Sequence, residues 1–403
     1  MALTAGCLLA AGMIGASDSC AQIAELPRLD AVPGDFFGAS VAIDGDYVIV
    51  GATGIDMCGA NSGAAYIYER MGVEWRLSQT LSPSDCEPEM FFGRSVDLSN
   101  RIAVVAASRE FFSEEAPNAV YVFERDTLSG RWVETARLTG GTAAEEGAFA
   151  TSASVDQGRI LVTTAGDPAG GKFGGSAYVF ERDEATGEWS ESIRLEGDAP
   201  GAFGVFGAEG VLQDSILAVA ASTYFQERPG TVYIHRKTNG MWTREARIEG
   251  IDDFFISLDV DAGRVLAGES RSMRHASGSA SIFERDGRKG WHRTHVLRPA
   301  IPYDAGAFGS EVALDGDYAL IVGFDEQLGF DFNVHRVVFV FRYDPTTDRW
   351  RQVHVIDVGE VSLGADLDAD GGVAVIGSAS EQEPGAVYVV YLPDNGQALS
   401  LGH

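Results

Sequence analysis

One phrase of apolar and polar positions recurs seven times along this chain. It opens on an aromatic or apolar residue, alternates, turns at a polar pair and resumes as an apolar run. The copies are FGASVAIDGDYVIVGA from 37, FGRSVDLSNRIAVVAA from 92, FATSASVDQGRILVTTA from 149, FGAEGVLQDSILAVAA from 206, FISLDVDAGRVLAGE from 255, FGSEVALDGDYALIVG from 308 and LGADLDADGGVAVIG from 363. Asp-Gly between two apolar runs signals a hairpin, because both central positions of the tight turn favour positive φ. Asp44-Gly45, Asp315-Gly316 and Asp370-Gly371 supply it, and Ser99-Asn100 and Asp261-Ala262-Gly263 are looser versions. The alternation before the turn and the run after it predict two strands, a and b.

A second landmark follows each phrase after a polar loop. It reads AAYIYER (64–70), AVYVFER (119–125), SAYVFER (176–182), TVYIHR (231–236), SASIFER (279–285), RVVFVFR (336–342) and GAVYVVY (385–391). This predicts strand c. A short turn then leads to a tryptophan in six copies, Trp75, Trp132, Trp189, Trp242, Trp291 and Trp350, opening strand d. Repeats of about 50–60 residues, each an up-and-down set of four strands, predict a β-propeller. The expected fold is therefore all-β, a seven-bladed propeller of four-stranded antiparallel blades. Blades start near 37, 92, 149, 206, 255, 308 and 363.

The seventh copy has no tryptophan strand after Tyr391, and the segment Gln22-Ile23-Ala24-Glu25-Leu26-Pro27 stands ahead of the first copy. Leu26 stands as far before Phe37 as Leu81 before Phe92 and Leu138 before Phe149. The N-terminal segment is thus expected to supply strand d of blade 7 and remove the open sheet edge. The repeated phenylalanines, glycines and tryptophans are read as packing between blades. The Glu-Arg ends of strand c are read as cross-strand ion pairs.

Leu3 to Ala16 is small and apolar, and Ser19-Cys20-Ala21 suits signal-peptidase cleavage before Gln22, although no Lys or Arg precedes the run. Residues 1–21 are expected to be a signal peptide, 22–393 the propeller and 394–403 a tail. No other segment reads as a transmembrane helix. The formal net charge of -29 argues against nucleic acid as a partner. Export leaves Cys58 and Cys86 as an even pair in an oxidising compartment. They lie in the b–c and d–a loops of blade 1, on one face, so a disulfide is expected.

Phe37-Gly38 with Val50-Gly51-Ala52, and Phe308-Gly309 with Val322-Gly323, resemble the FG-GAP repeat, and the whole resembles secreted bacterial FG-GAP repeat proteins. The resemblance implies a seven-bladed propeller like that at the N-terminus of integrin α chains. It does not specify a function. Integrin-type repeats carry a calcium loop between strands a and b; here a tight turn occupies that place. The one DxDxDG match is Asp366, Asp368 and Asp370 with Gly371, and it falls inside strand a. Alternate residues of a strand do not wrap one ion as a loop does. A coincidental acidic strand is preferred there over a calcium site, and no cofactor is otherwise called for.

The b–c and d–a loops are expected on one face, and they are long and uneven. Phe111, Phe112, Tyr224, Phe225, Phe330 and Phe332 place aromatics in them. Exposed loop aromatics flanked by charge mark contact surfaces, and the competing reading is that they cover blade edges. His292 and His295, three apart on a strand, are expected on opposite faces and so are poor joint metal ligands. Glu114-Glu115, Glu145-Glu146 and Asp252-Asp253 are acidic pairs with nothing to single them out. The expected function is a non-catalytic extracellular binding or adhesion module. It would be monomeric, in the extracellular space or periplasm or at the cell surface, and contact a protein or glycan through the loop-rich face. The alternatives are a carbohydrate-active propeller enzyme, a glycosidase or lyase, and a structural cell-surface protein.

Overall fold

The computed structural model describes residues 22–28, 32–108, 118–140, 149–165, 174–198, 204–223, 230–251, 256–270, 278–300, 308–325, 334–361, 366–380 and 383–392. Among these residues there are 28 strands in seven antiparallel sheets of four, and no helix. In blade 1 the strands are Phe37–Asp44, Tyr47–Ala52, Ala64–Met71 and Glu74–Leu81, strands a to d from the inside outwards. The inner strands of blades 2 to 7 are Phe92–Ser99, Ala153–Asp156, Gly204–Gln213, Leu258–Asp261, Val312–Asp315 and Leu367–Asp370. Each inner strand contacts that of the next blade, and the seventh contacts the first.

The outer strand of blade 7 is Gln22–Glu25, which runs antiparallel to Ala386–Tyr391 with Gln22 opposite Tyr391 and Glu25 opposite Tyr388. The Leu26 amide extends the ladder by donating to the Val387 carbonyl at 2.8 Å. Leu26 is buried in the seam between blades 7 and 1 with Phe37, Val50, Val387 and Val389.

The core consists of such seams. Central strand residues such as Val48, Ile49 and Val50 are fully buried because sheets cover both of their faces, which explains the unbroken apolar runs of strand b. Trp75 packs in the seam to blade 7 and donates its indole N–H to the Tyr391 hydroxyl at 3.2 Å; Trp132 packs against Tyr47 of blade 1.

The Phe-Gly pair joins one blade to the next. The Phe92 amide donates to the Ser62 carbonyl of blade 1 at 3.1 Å, and its ring meets Tyr121 of its own strand c edge-on. Gly93 follows with φ +96°, and a Cβ there would stand 2.5 Å from the Ala64 carbonyl oxygen. A side chain would break the joint, so the repeated glycine is a requirement of blade-to-blade approach.

Candidate functional site

Strand a is the inner edge of every blade. Its alternate N–H and C=O groups have no strand partner and face the axis. The space they enclose is a channel of about 560 Å³ lined by inner-strand residues of all seven blades. Counting back from the a–b turn, the side chains form three belts of one residue per blade. The turn belt is Asp44, Ser99, Asp156, Gln213, Asp261, Asp315 and Asp370. Two residues earlier lies a middle belt of Ala42, Asp97, Ser154, Val211, Asp259, Ala313 and Asp368. Two earlier again is a belt towards the loop-rich face, Ser40, Ser95, Ser152, Glu209, Ser257, Glu311 and Asp366.

These side chains satisfy the unpaired amides of the following blade. The Val155 N–H donates to Asp97 at 2.6 Å, Leu314 to Asp259 at 2.6 Å, Ile43 to Asp368 at 2.7 Å and Val41 to Asp366 at 2.8 Å. Glu209 accepts from Leu258 at 3.2 Å, and Ser95, Ser152, Ser154 and Ser257 accept in the same way. In the turn belt Asp44, Asp156, Asp261, Asp315 and Asp370 accept from Asn100, Asp214, Gly316, Gly372 and Gly45. The direction is always from one blade to the next in chain order. Asp97, Asp259, Asp366 and Asp368 use the second carboxylate oxygen for the amide that follows them in sequence.

Six acids of the upper two belts share one enclosed space. Protein surrounds them on every side, while the channel leaves each a partial water contact. Burial, the largest cause, and then Asp366 and Asp259 push Glu209 up to about 8. Burial and Asp368 push Asp259 up to about 8. Asp97 rises well above the usual carboxylate range through burial and Asp368, and Glu311 does so through burial, Glu209 and Asp366. Asp366 reaches about 6 and Asp368 about 7, again through burial first. At neutral pH the channel therefore holds neutral and ionised carboxyls side by side.

Cys58 and Cys86 are bonded, with Cα atoms 6.0 Å apart, and tie the b–c loop of blade 1 to the d–a loop leading into blade 2. Phe111, Phe112, Tyr224, Phe225, Phe330 and Phe332 lie outside the described residues, as do Glu114-Glu115, Glu145-Glu146 and Asp252-Asp253. Asp366, Asp368 and Asp370 spread along one inner strand, each directing an oxygen to a different amide of blade 1. No group of three or more metal-ligating side chains forms among the described residues.

Two local expectations change. His292 lies opposite Glu284 and His295 opposite Ile282, with a bulge between them. Partners two apart share a face, so the bulge restores the two histidines to the same side. Their contacts remain separate: His292 meets the Gly290 carbonyl and His295 the Asp348 carbonyl, each at 3.2 Å. Ion pairs at the ends of strand c also differ. Arg236–Glu245 and Arg264–Glu284 are cross-strand, whereas Arg125–Glu69, Arg182–Glu124 and Lys237–Glu181 reach from one blade to the previous one. Stacked sheets lie about 10 Å apart, a gap that two long side chains at the same level can bridge.

The charged belts were missed by reading each phrase separately. Superposing the phrases places Asp97, Asp259 and Asp368 in one column and Glu209, Glu311 and Asp366 in another. Acids at alternate positions of a strand buried on both faces are the signal that could have found them.

Fold and channel together define a seven-bladed β-propeller whose inner strands are laced together by polar side chains. The FG-GAP repeat model matches residues 21–68 and 75–123, so this propeller carries FG-GAP repeats over its first two blades. Each match begins on or just before an outer strand and ends on strand c, so the sequence repeat is offset by one strand from the blade. No curated protein matches the chain in sequence. Among solved structures it is similar to the WD40 repeats of RRP9, at 12% identity over 92% of this chain and 97% of that one, TM-score 0.55. It is also similar to the periplasmic gluconolactonase PpgL of Pseudomonas aeruginosa, at 13% identity over 88% and 89%, TM-score 0.50. At these identities the likeness concerns the fold.

Proposed function

We propose that this protein is an extracellular, non-catalytic binding module that contacts a protein or glycan through its loop-rich face. The observation that carries the reading is the division of labour between the channel and that face. Most of the channel's polar side chains are engaged in joining one blade to the next. The loop-rich face has uneven connections, two of them tied by Cys58–Cys86. A rigid scaffold presenting variable loops suits recognition, because less ordering is paid for on binding. The disulfide fits an oxidising compartment, and no helix among the described residues is long and apolar enough to cross a membrane. The module acts as a monomer, free or at the cell surface.

The test is a screen of the purified chain against glycan and surface-protein arrays, with and without calcium. Paired Phe111→Ala/Phe112→Ala and Phe330→Ala/Phe332→Ala variants are screened in parallel. Capture that these variants lose, with folding retained, supports the reading; capture that they leave unchanged rejects the loop face.

One observation favours a second reading. Glu209 and Asp366 line one channel, where burial raises both carboxyls, and a pair of carboxyls in one cavity is what glycoside cleavage uses as acid and nucleophile or base. Hydrolysis or elimination on a polysaccharide, abolished by Glu209→Gln, would establish the enzyme.

A further inference from the structure

We propose that the axial channel is a proton-operated clamp, in which neutral carboxyls of the inner strands hold neighbouring blades together and their ionisation loosens the ring. Asp97, Glu209 and Asp259 each sit at a different seam and hold an amide of the following blade. Glu311, in the same belt as Glu209, shares its space. An inner edge strand exposes carbonyl oxygens as well as amides to the channel. A protonated carboxyl keeps one oxygen that accepts from the following blade's amide, so protonation preserves the bond across the seam while removing the charge. Several carboxylates confined in one cavity also repel one another through a medium less polar than water.

The other groups facing these acids leave the balance negative. The remaining channel acids are Asp366 and Asp368 of blade 7 and, at the turn level, Asp44, Asp156, Asp261, Asp315 and Asp370. The cations are few: Arg94 on the inner strand of blade 2, Arg336 acting on Glu311, and Arg159, paired with Asp156 at 3.3 Å.

The sign follows from linkage. Folded-state values for Asp97, Glu209, Asp259 and Glu311 lie above those of the unfolded chain. Their contribution is complete below the unfolded values near 4 and is lost as pH rises through the folded values, which for Glu209 and Asp259 are about 8. Unfolding at pH 7 must therefore release protons, since an unfolded carboxyl is ionised there.

The experiment is calorimetric unfolding of the intact chain at pH 7 in buffers of different ionisation enthalpy, together with denaturation midpoints from pH 5 to 9. The expected result is a release of roughly two to four protons per molecule and a midpoint that falls towards pH 9. In Glu209→Gln/Asp259→Asn the release drops by about two protons and the midpoint varies less with pH. Zero release or net uptake by the wild type, or a midpoint that rises from pH 5 to 8.5, overturns the clamp. So does a release that the double variant leaves unchanged. Should the variant not fold, the wild-type proton count decides alone.

Discussion

The amide of Val41 donates to the carboxylate of Asp366 across 2.8 Å, although 325 positions separate the two residues. The bond joins the inner strand of the last blade to that of the first, and Ile43–Asp368 and Gly45–Asp370 repeat it one and two belts further down. The same lacing that runs around the ring thus also crosses its final seam.

Asp366→Ala leaves the Val41 amide without its acceptor, facing the channel. The expected loss is about 1–2 kcal/mol, the cost of an unsatisfied buried donor. Asp366→Asn keeps an acceptor and removes a charge crowded by neighbouring acids. Its NH2 then faces the Leu367 amide that the second carboxylate oxygen serves, so the loss should be smaller than that of Asp366→Ala, below about 1 kcal/mol. Urea midpoints of the two variants at pH 7 check the contrast.

The two cysteines are 28 positions apart in sequence. Closing a loop of that size restricts the unfolded chain, and Cys58→Ser/Cys86→Ser should cost about 3 kcal/mol. Wild-type protein in reductant should match the variant's midpoint. Thiol reagent should modify Cys58 and Cys86 after reduction and not before.

Glycine is required in this fold for two different reasons, and alanine separates them. At Gly93 a Cβ meets the backbone of the neighbouring blade, whereas at Gly45, with φ +56°, nothing lies within 4 Å. Gly45→Ala should cost about 1–2 kcal/mol, the left-handed backbone penalty. Gly93→Ala should cost at least about 2 kcal/mol, because backbone cannot yield as a flexible side chain would. Thermal or urea unfolding of both variants provides the comparison.

His235 stands on strand c where blades 1 to 3 and 5 to 6 carry Tyr68, Phe123, Phe180, Phe283 and Phe341. It is buried, its Nδ1 has no hydrogen-bond partner, and burial with nearby Arg244 lowers it to about 4. The unfolded chain takes up the proton first, so this stability is complete above about 6.5 and is lost as pH falls towards 4. The loss reaches up to about 3 kcal/mol. His235→Phe should remove that loss, so the difference between variant and wild type should grow between pH 6.5 and 4. The channel acids have the opposite sign and cancel in this difference.

Much of the fold was legible because it rests on local rules repeated seven times. The a–b hairpins form where Asp44-Gly45 and Asp315-Gly316 signal them, but one residue later than that reading. Each aspartate ends strand a, the central pairs are Gly45-Asp46 and Gly316-Asp317, and of these only the glycines have positive φ. The apolar run Tyr47–Ala52 is a strand covered on both faces. The pairing at Cys58 and Cys86 could be inferred once the loops were assigned to one face. The channel was less legible. Asp97 and Glu209 look like ordinary acids of an acidic chain until several blades bring their inner strands around a single axis.

The sequence by itself determined the strand order, the hairpin turns, the number of blades and the spare N-terminal strand, since these follow from periodicity and turn chemistry within each repeat. Tertiary structure alone decided which partners those residues meet. The bulge that returns His292 and His295 to one face and the Arg182–Glu124 bridge between blades depend on register and sheet stacking. So do the raised carboxyls around the axis. The physical reason is that desolvation and charge repulsion depend on distance in space, and closing the ring brings together residues that lie hundreds of positions apart in the chain.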